Sequence, residues 1–174
     1  MTEPRQTRPR QTRPPLTEPP ATAPQIPADF AAAIADARQR LIGFTGRCST
    51  IDWRAAPLAG DPRPVAVIVD HVAHSYEYLA AWMREILAGQ QAAISTDIVD
   101  AYNAEHAAAA AHVSQADTAR HLGRSGDALI QLVAGLAPAD LEAGGGRVRR
   151  LAQIAVRHAD DHRAEVEKAL AAAR

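Results

Sequence analysis

The chain has 174 residues, of which 47% are hydrophobic, 4% aromatic and 22% charged, and its formal net charge is −1. This length suffices for a domain with a sizeable core, and a composition rich in alanine and poor in aromatics favours closely packed helices over strands. The near-neutral charge argues against a nucleic-acid binder, and no apolar run approaches the ~20 residues needed to cross a membrane.

The first 27 residues differ in composition from the rest of the chain. They hold eight of the twelve prolines, and four arginines stand against Glu3 and Glu18. Because proline removes backbone donors and apolar residues are scarce here, we expect a disordered tail at 1–27 and a helical domain at 28–174. The tail could be a ligand for a proline-recognition domain or an anionic surface, but a solvated extension is the favoured interpretation.

A first helix is predicted over about residues 28–45, followed by a loop at 47–63 that is rich in proline and glycine. The apolar face of this helix comprises Phe30, Ile34, Ala37, Leu41 and Phe44. The loop carries Cys48, which is the only cysteine and which we expect to be a quiet small hydrophobe. A single cysteine excludes an internal disulfide framework and favours a reducing cytoplasm.

A second helix is predicted over about residues 64–88, with Pro64 in its first turn. Its apolar stripe comprises Val65, Ile68, Val72, Ser75, Leu79, Trp82, Met83 and Ile86. On a helical wheel, His71 lies at the edge of this stripe, whereas His74 and Asp70 lie on the solvent side. This helix therefore offers one histidine to the core and one to water.

A third helix is predicted over about 96–111, with His106 partly inward, and a fourth runs from the N-terminal signal at Ser114 to about Leu136. Pro138 and three consecutive glycines then interrupt the chain. The expected fold class is an all-α four-helix bundle with one extra short helix.

The last helix, predicted over about residues 147–172, carries the most informative pattern. Its apolar stripe comprises Val148, Leu151, Ile154, Ala155, Val166 and Ala169. His158 and His162 fall in the middle of that stripe, and residues four apart on a helix share a face. A buried imidazole needs partners, so the pair predicts a further ligand elsewhere, with His71 as the better candidate and His106 as its main competitor.

Several segments together resemble a known family. Trp53-Arg54-Ala55-Ala56-Pro57-Leu58-Ala59-Gly60 is followed by Val69-Asp70-His71-Val72-Ala73-His74-Ser75, and later segments are Asp100-Ala101-Tyr102-Asn103-Ala104 and the closing His158-x-x-x-His162-Arg163. Over residues 28–172 these resemble the DinB-like (damage-inducible) family, which is similar to the N-terminal domain of mycothiol-dependent maleylpyruvate isomerase.

The resemblance implies a divalent metal, most often zinc or nickel, inside a four-helix bundle. Carried over by position, its ligands would be His71, His158 and His162. It further implies a thiol-dependent transferase or isomerase that uses a low-molecular-weight thiol such as mycothiol, and a homodimer. Three neutral imidazoles with open positions also suit a catalytic divalent ion on chemical grounds.

The rest of the pattern leaves the substrate and the catalytic residues open. No Ser-His-Asp, Cys-His or glycine-rich phosphate signature accompanies the histidines. Glu165 could be a fourth ligand or a base, although a surface glutamate is at least as good an interpretation, and His106, His112 and His121 are read as structural or solvated. The rival hypothesis is a non-catalytic bundle that serves as a stress-related or partner-binding module.

Overall fold

A computed structural model describes residues 24–174 of the chain, and it contains six α-helices and no strand over that range. The helices are α1 (Pro27–Arg47), α2 (Thr50–Arg54), α3 (Val65–Leu87), α4 (Thr96–Ala109), α5 (Gln115–Ala134) and α6 (Ala143–Ala172). A 3-10 helix, Pro138–Glu142, joins α5 to α6. The all-α fold class predicted from the sequence is confirmed. The prediction of a disordered tail at 1–27 falls mostly on residues 1–23, which lie outside the described range.

Four long helices form the bundle. Helix α1 packs against α5 and α6, and α3 packs against the same two helices, so that α1 and α3 occupy opposite corners. Their apolar faces meet in one core, whose largest fully buried side chains include Tyr76, Phe30, Ile34, Leu41, Ile68, Leu79, Met83, Leu122 and Leu129. Burial of these faces is the main source of stability for such helices, because isolated helices of this length are marginal in water.

The segment between α1 and α3 contains more structure than the predicted loop. The short helix α2 begins after Ser49, whose hydroxyl accepts a hydrogen bond from the backbone N–H of Asp52 at 3.0 Å. Trp53 is buried, and its indole N–H donates to the backbone carbonyl of Val113 at 3.1 Å. This contact ties α2 to the connection that leads into α5.

Helix α3 lies at the centre of the molecule. It contacts α5 and α6 within the bundle, and α4 and α2 cover its remaining sides. Sixteen of its 23 residues are buried, including the polar Asp70, His71 and Ser75. Helix α3 is therefore more buried than a helical wheel with one solvent-facing side predicts.

Helices α1 and α5 approach closely where α5 has a glycine. A Cβ at Gly126 would lie 2.3 Å from Cδ of Arg38, so the arginine side chain occupies the space that a larger residue would need. From there Arg38 donates to the backbone carbonyl of Gly123 at 3.1 Å and pairs with Asp127.

The start of α5 agrees with the predicted N-terminal signal at Ser114, because the backbone N–H of Asp117 donates to Ser114 Oγ at 3.1 Å.

Helix α6 begins with a backbone turn that glycine favours. Gly144, Gly145 and Gly146 have φ angles of 60°, 69° and 76°, a region that other residues adopt only with strain. A Cβ at Gly144 would also lie 2.8 Å from Cγ2 of Ile86 on α3. The regular part of α6 starts after this triplet.

The buried seam of α6 is narrower than the predicted stripe. Ile154, which is predicted to lie in the core, is 40% exposed, so this prediction is wrong. The buried positions fall on one side of the helix and include Val148, Leu151, Ala152, Ala155, Ala159, Val166 and Leu170. Ile154 is one position off this seam, about 100° around the helix from Ala155.

None of the helices described here has both the length and the apolar character of a membrane span.

Candidate metal centre

Two of the three predicted ligands project from the seam of α6. Ala155, Ala159 and Val166 are fully buried against the rest of the bundle. His158 and His162 share this side of the helix and are partly buried, with ring centroids 4.6 Å apart. Small alanines around them leave room for two imidazoles between α6 and α3.

His71 on α3 completes a cluster with these two residues. Its ring centroid lies 4.9 Å from that of His158 and 5.6 Å from that of His162. The Nε2 atoms of His71 and His158 are 2.9 Å apart, and each of the three residues offers a ring nitrogen within 4.8 Å of the others. The structure thus brings together the three histidines named from the sequence, and metal binding by them stays a prediction.

The environment of the cluster keeps its imidazoles neutral. Burial, together with the neighbouring histidines, lowers the pKa of His71 to about 2 and that of His158 to about 4. Burial also lowers the pKa of His162, against a smaller opposing effect of Glu165. Neutral imidazoles retain a lone pair, which a metal ligand requires and a protonated ring lacks.

The donor set fits a divalent ion of the zinc or nickel type. Nδ1 of His71 and Nδ1 of His162 are buried and have no hydrogen-bond partner among the described residues. Rings with such unpaired atoms gain from coordination through one nitrogen and donation through the other. Three imidazoles from rigid helices are also a common ligand set for a catalytic divalent ion.

Glu165 is not a member of the ligand cluster. Its Oε2 lies 3.6 Å from Nδ1 of His162, and its side chain is 57% exposed. This distance is too long for a hydrogen bond, and because His162 is neutral the contact is not an ion pair either. The geometry agrees with a carboxylate at the edge of the site more than with a fourth ligand.

A second polar cluster, which the sequence analysis missed, lies beside the first. Asp70 is buried, contrary to its predicted solvent-side position, and its carboxylate lies 2.9 Å from Nε2 of His106 and 3.2 Å from Nδ1 of His121. Burial favours a raised pKa for Asp70, but the hydrogen bonds from His106 and His121 outweigh it and hold the pKa well below its usual range. His121 Nε2 also contacts Glu77 Oε1 at 3.1 Å.

This second cluster separates His106 from the three histidines that converge between α3 and α6. His106 is buried as expected for an inward residue, but its Nε2 faces Asp70 rather than the rings on α6. His74 is only partly buried and stacks on His106 with centroids 4.9 Å apart. His112 is exposed, in agreement with the solvated interpretation. Asp70 is buried because α4, which carries His106, and α5, which carries His121, cover the side of α3 that a helical wheel assigns to water.

Arg63 is the other charged residue near the histidines that the sequence analysis did not identify. It is held by Asp61, with Nη2 of Arg63 2.7 Å from Oδ2 of Asp61. Its positive charge contributes to lowering the pKa of each of His71, His158 and His162. The only signal in the sequence was an acidic and a basic residue two positions apart before the second helix.

The fold and the site define an all-α bundle protein with a three-histidine candidate metal centre between its central and last helices. Comparison with protein families gives the particular family: a model of the DinB superfamily matches residues 33–166, and the chain belongs to that superfamily. The matched range includes His71, His158 and His162. No curated protein and no solved structure gives a significant match.

Proposed function

We propose that this DinB-superfamily protein binds one divalent metal ion, zinc or nickel, through His71, His158 and His162. The observation that carries the proposal is the convergence of three neutral ring nitrogens from α3 and α6. Two further features support it: the pKa values of all three rings are lowered, and Nδ1 of His71 and of His162 are buried with no hydrogen-bond partner among the described residues. Membership of the superfamily points in the same direction.

We further propose that the bound ion serves a thiol-dependent transferase or isomerase reaction. A divalent ion on three protein ligands keeps an open position, where it would lower the pKa of a bound thiol or water and so supply a nucleophile. The resemblance to the N-terminal domain of mycothiol-dependent maleylpyruvate isomerase suggests a low-molecular-weight thiol as the second reactant.

The properties of Cys48 favour a small molecule, rather than the protein itself, as the source of the reacting thiol. Cys48 is partly buried, and burial raises the pKa of its thiol. Because the thiolate is the reactive form, a raised pKa makes Cys48 a poor nucleophile at neutral pH. Thiol chemistry at this site would therefore draw on a small molecule from the reducing cytoplasm, where we propose the protein resides.

Metal analysis of the purified, untagged protein tests the first part of the proposal. The wild-type protein should retain close to one equivalent of zinc or nickel after dialysis, and His158→Ala should lose it. His112→Ala is the matched control, since His112 is exposed and should leave metal content unchanged. Equal metal content in wild type and His158→Ala would refute the assigned ligands.

The alternative function is a non-catalytic bundle that acts as a stress-related or partner-binding module. One observation favours it: His71 and His158 lie at hydrogen-bond distance, so part of the cluster can satisfy itself without an ion. Under this alternative, the purified protein would be metal-free, and added zinc would not raise its melting temperature. A saturable rise in melting temperature with zinc, absent from His158→Ala, would count against it.

We also propose that the protein is a homodimer. Bundles often bury leftover apolar surface across a two-fold axis, and Ile51 and Ile154 are exposed at 83% and 40%. Sedimentation velocity at micromolar concentration should give a single dimeric species. A clean monomer over the whole concentration range would refute this.

A further inference from the structure

The proposed metal site uses only one ring nitrogen of His71, Nε2, and leaves Nδ1 free to form a hydrogen bond. Its Nε2 points into the cluster, where it lies 2.9 Å from Nε2 of His158. If Nε2 supplies the lone pair to a metal, the proton of the neutral ring must sit on Nδ1, which becomes a donor. That Nδ1 is buried and has no hydrogen-bond partner among the described residues.

His106 has a ring nitrogen that can accept a hydrogen bond and that has no partner within residues 24–174, its Nδ1. Its Nε2 lies 2.9 Å from Oδ2 of Asp70, a buried carboxylate that can only accept when ionised, so Nε2 of His106 must donate. In the neutral ring, Nδ1 of His106 then carries a lone pair and is an acceptor. This Nδ1 is likewise buried without a partner.

The two leftover atoms belong to neighbouring rings. The centroids of His71 and His106 are 6.0 Å apart with an interplanar angle of 58°. His106 cannot easily turn away, because Asp70 holds one edge of its ring and His74 stacks on its face at 4.9 Å. A donor and an acceptor that are both buried, both unpaired and on adjacent rings are a pair that coordination of His71 would complete.

We propose that His106 is a positioning residue for His71. Its Nδ1 accepts a hydrogen bond from Nδ1–H of His71 after a small rotation of the His71 ring. Asp70 fixes the His106 ring, so the line Asp70–His106–His71 runs from a buried carboxylate to the ligand on α3. This inference deepens the proposed metal site and rests on it for its consequence, which is tighter metal binding.

The metal-dependent test compares three variants with the wild type by chelator competition for zinc. His106→Phe keeps a ring on His74 but removes the acceptor, and it should weaken zinc binding about 10- to 100-fold, as loss of a ligand's hydrogen-bond partner typically does. His106→Gln keeps a donor for Asp70 and an acceptor for His71, so it should restore affinity to within about threefold of wild type.

His121→Phe is the matched control. His121 also bonds to Asp70, and neither its hydrogen bonds nor its ring contacts involve His71, so its loss disturbs the same carboxylate without touching the ligand. It should lower the melting temperature yet leave zinc affinity unchanged. Equal losses of affinity in His121→Phe and His106→Phe would overturn the proposal, as would full affinity in His106→Phe or no recovery in a folded His106→Gln.

A metal-free readout separates this inference from the proposed function. Long-range ¹H–¹⁵N NMR on the metal-free protein should show His71 protonated on Nδ1 and His106 protonated on Nε2. The acceptor on His106 favours this tautomer of His71 without an ion, and His158 then donates its Nε2–H to Nε2 of His71 across their 2.9 Å contact. In His106→Phe, the Nδ1–H signal of His71 should shift upfield and exchange faster with water. His71 protonated on Nε2 would overturn the inference whatever the metal results, whereas correct tautomers in a protein that binds no metal would refute only the proposed function.

Discussion

The Nε2 atoms of His71 and His158 lie 2.9 Å apart, although 87 positions separate the two residues in the chain. The contact exists because α3 and α6 pack directly against each other in the bundle. It joins a ligand candidate on the most buried helix to a pair on the last helix. The site therefore forms only when the bundle is complete, and metal binding should be coupled to folding.

The assignment of His71 rather than His74 predicts opposite outcomes for two alanine variants on the same helix. His71→Ala removes a proposed ligand and should weaken zinc binding by more than the ~10- to 100-fold typical of a supporting residue. His74→Ala should weaken binding far less than His71→Ala, because His74 is partly exposed and reaches the cluster only through its stack on His106. Isothermal titration with zinc on both variants measures the difference, and the reverse order would refute the assignment.

Acidification should destabilise the metal-free protein. His71, His158 and His162 have pKa values below their ordinary 6.5 in the folded state, so between about pH 6.5 and 4 the unfolded chain binds more protons. Their contribution to stability is present above pH 6.5 and is lost as pH falls toward the folded pKa values. We expect the free energy of unfolding to drop in this window by about 1.4 kcal/mol per pH unit for each of the three rings that is neutral when folded and protonated when unfolded.

Two other groups set the limits of that window. His121 has a raised pKa, chiefly through its hydrogen bond to Asp70, so its stabilisation is fully present below pH 6.5 and fades only at higher pH. Asp70 has a lowered pKa and loses its stabilisation below about pH 4. Urea unfolding at several pH values measures the slope, which His71→Gln should reduce. An unchanged slope in His71→Gln would show that His71 is not the titrating group.

Removal of Asp70 should cost more stability than its charge alone suggests. Asp70→Ala leaves Nε2 of His106 and Nδ1 of His121 without an acceptor, and His106 is buried. We expect a loss of about 3 kcal/mol, which is typical when one partner of a buried polar network is deleted. Asp100→Ala is the control, because Asp100 is exposed on α4, and its variant should unfold within about 0.5 kcal/mol of wild type in urea.

Two glycines on α5 should respond differently to alanine. A Cβ at Gly123 meets no atom within 4 Å, so Gly123→Ala should stabilise the protein by about 0.5–1 kcal/mol through helix propensity. Gly126→Ala would displace Arg38, and the lost contacts should cancel or exceed that gain. Thermal unfolding of the pair gives the comparison, and equal stabilisation by both would mean that Arg38 moves aside freely.

The sequence predicted the elements whose periodicity is long and simple, and it failed where a neighbour changes the environment. The paired histidines of α6 and His71 could be named because helical spacing places them on or beside buried faces. The burial of Asp70 could not be predicted, because it depends on α4 and α5, which carry His106 and His121 to the side of α3 that a wheel assigns to water. The core prediction for Ile154 is wrong for a related reason, because the bundle buries only a narrow strip of the surface of α6.

The short helix α2 shows a third kind of limit. Five residues cannot display a period, and the prolines and glycines around it indicate a loop. Its cap at Ser49 and the buried Trp53 are the features that fix it, and the second depends on the distant carbonyl of Val113. Local pattern is insufficient where a long-range hydrogen bond decides the structure.

The glycine triplet at the start of α6 has a consequence for the precision of the whole site. About 18 Å of helix separates Gly146 from His158, at 1.5 Å per residue. Over that lever arm, a change of about 3° in the direction of the helix would move the imidazoles by about 1 Å, comparable to the tolerance of a coordination sphere. The glycine turn, which packs against Ile86 and which other residues adopt only with strain, therefore helps to set the direction of α6. Through that direction it influences where His158 and His162 lie relative to His71, although it is far from all three in the chain.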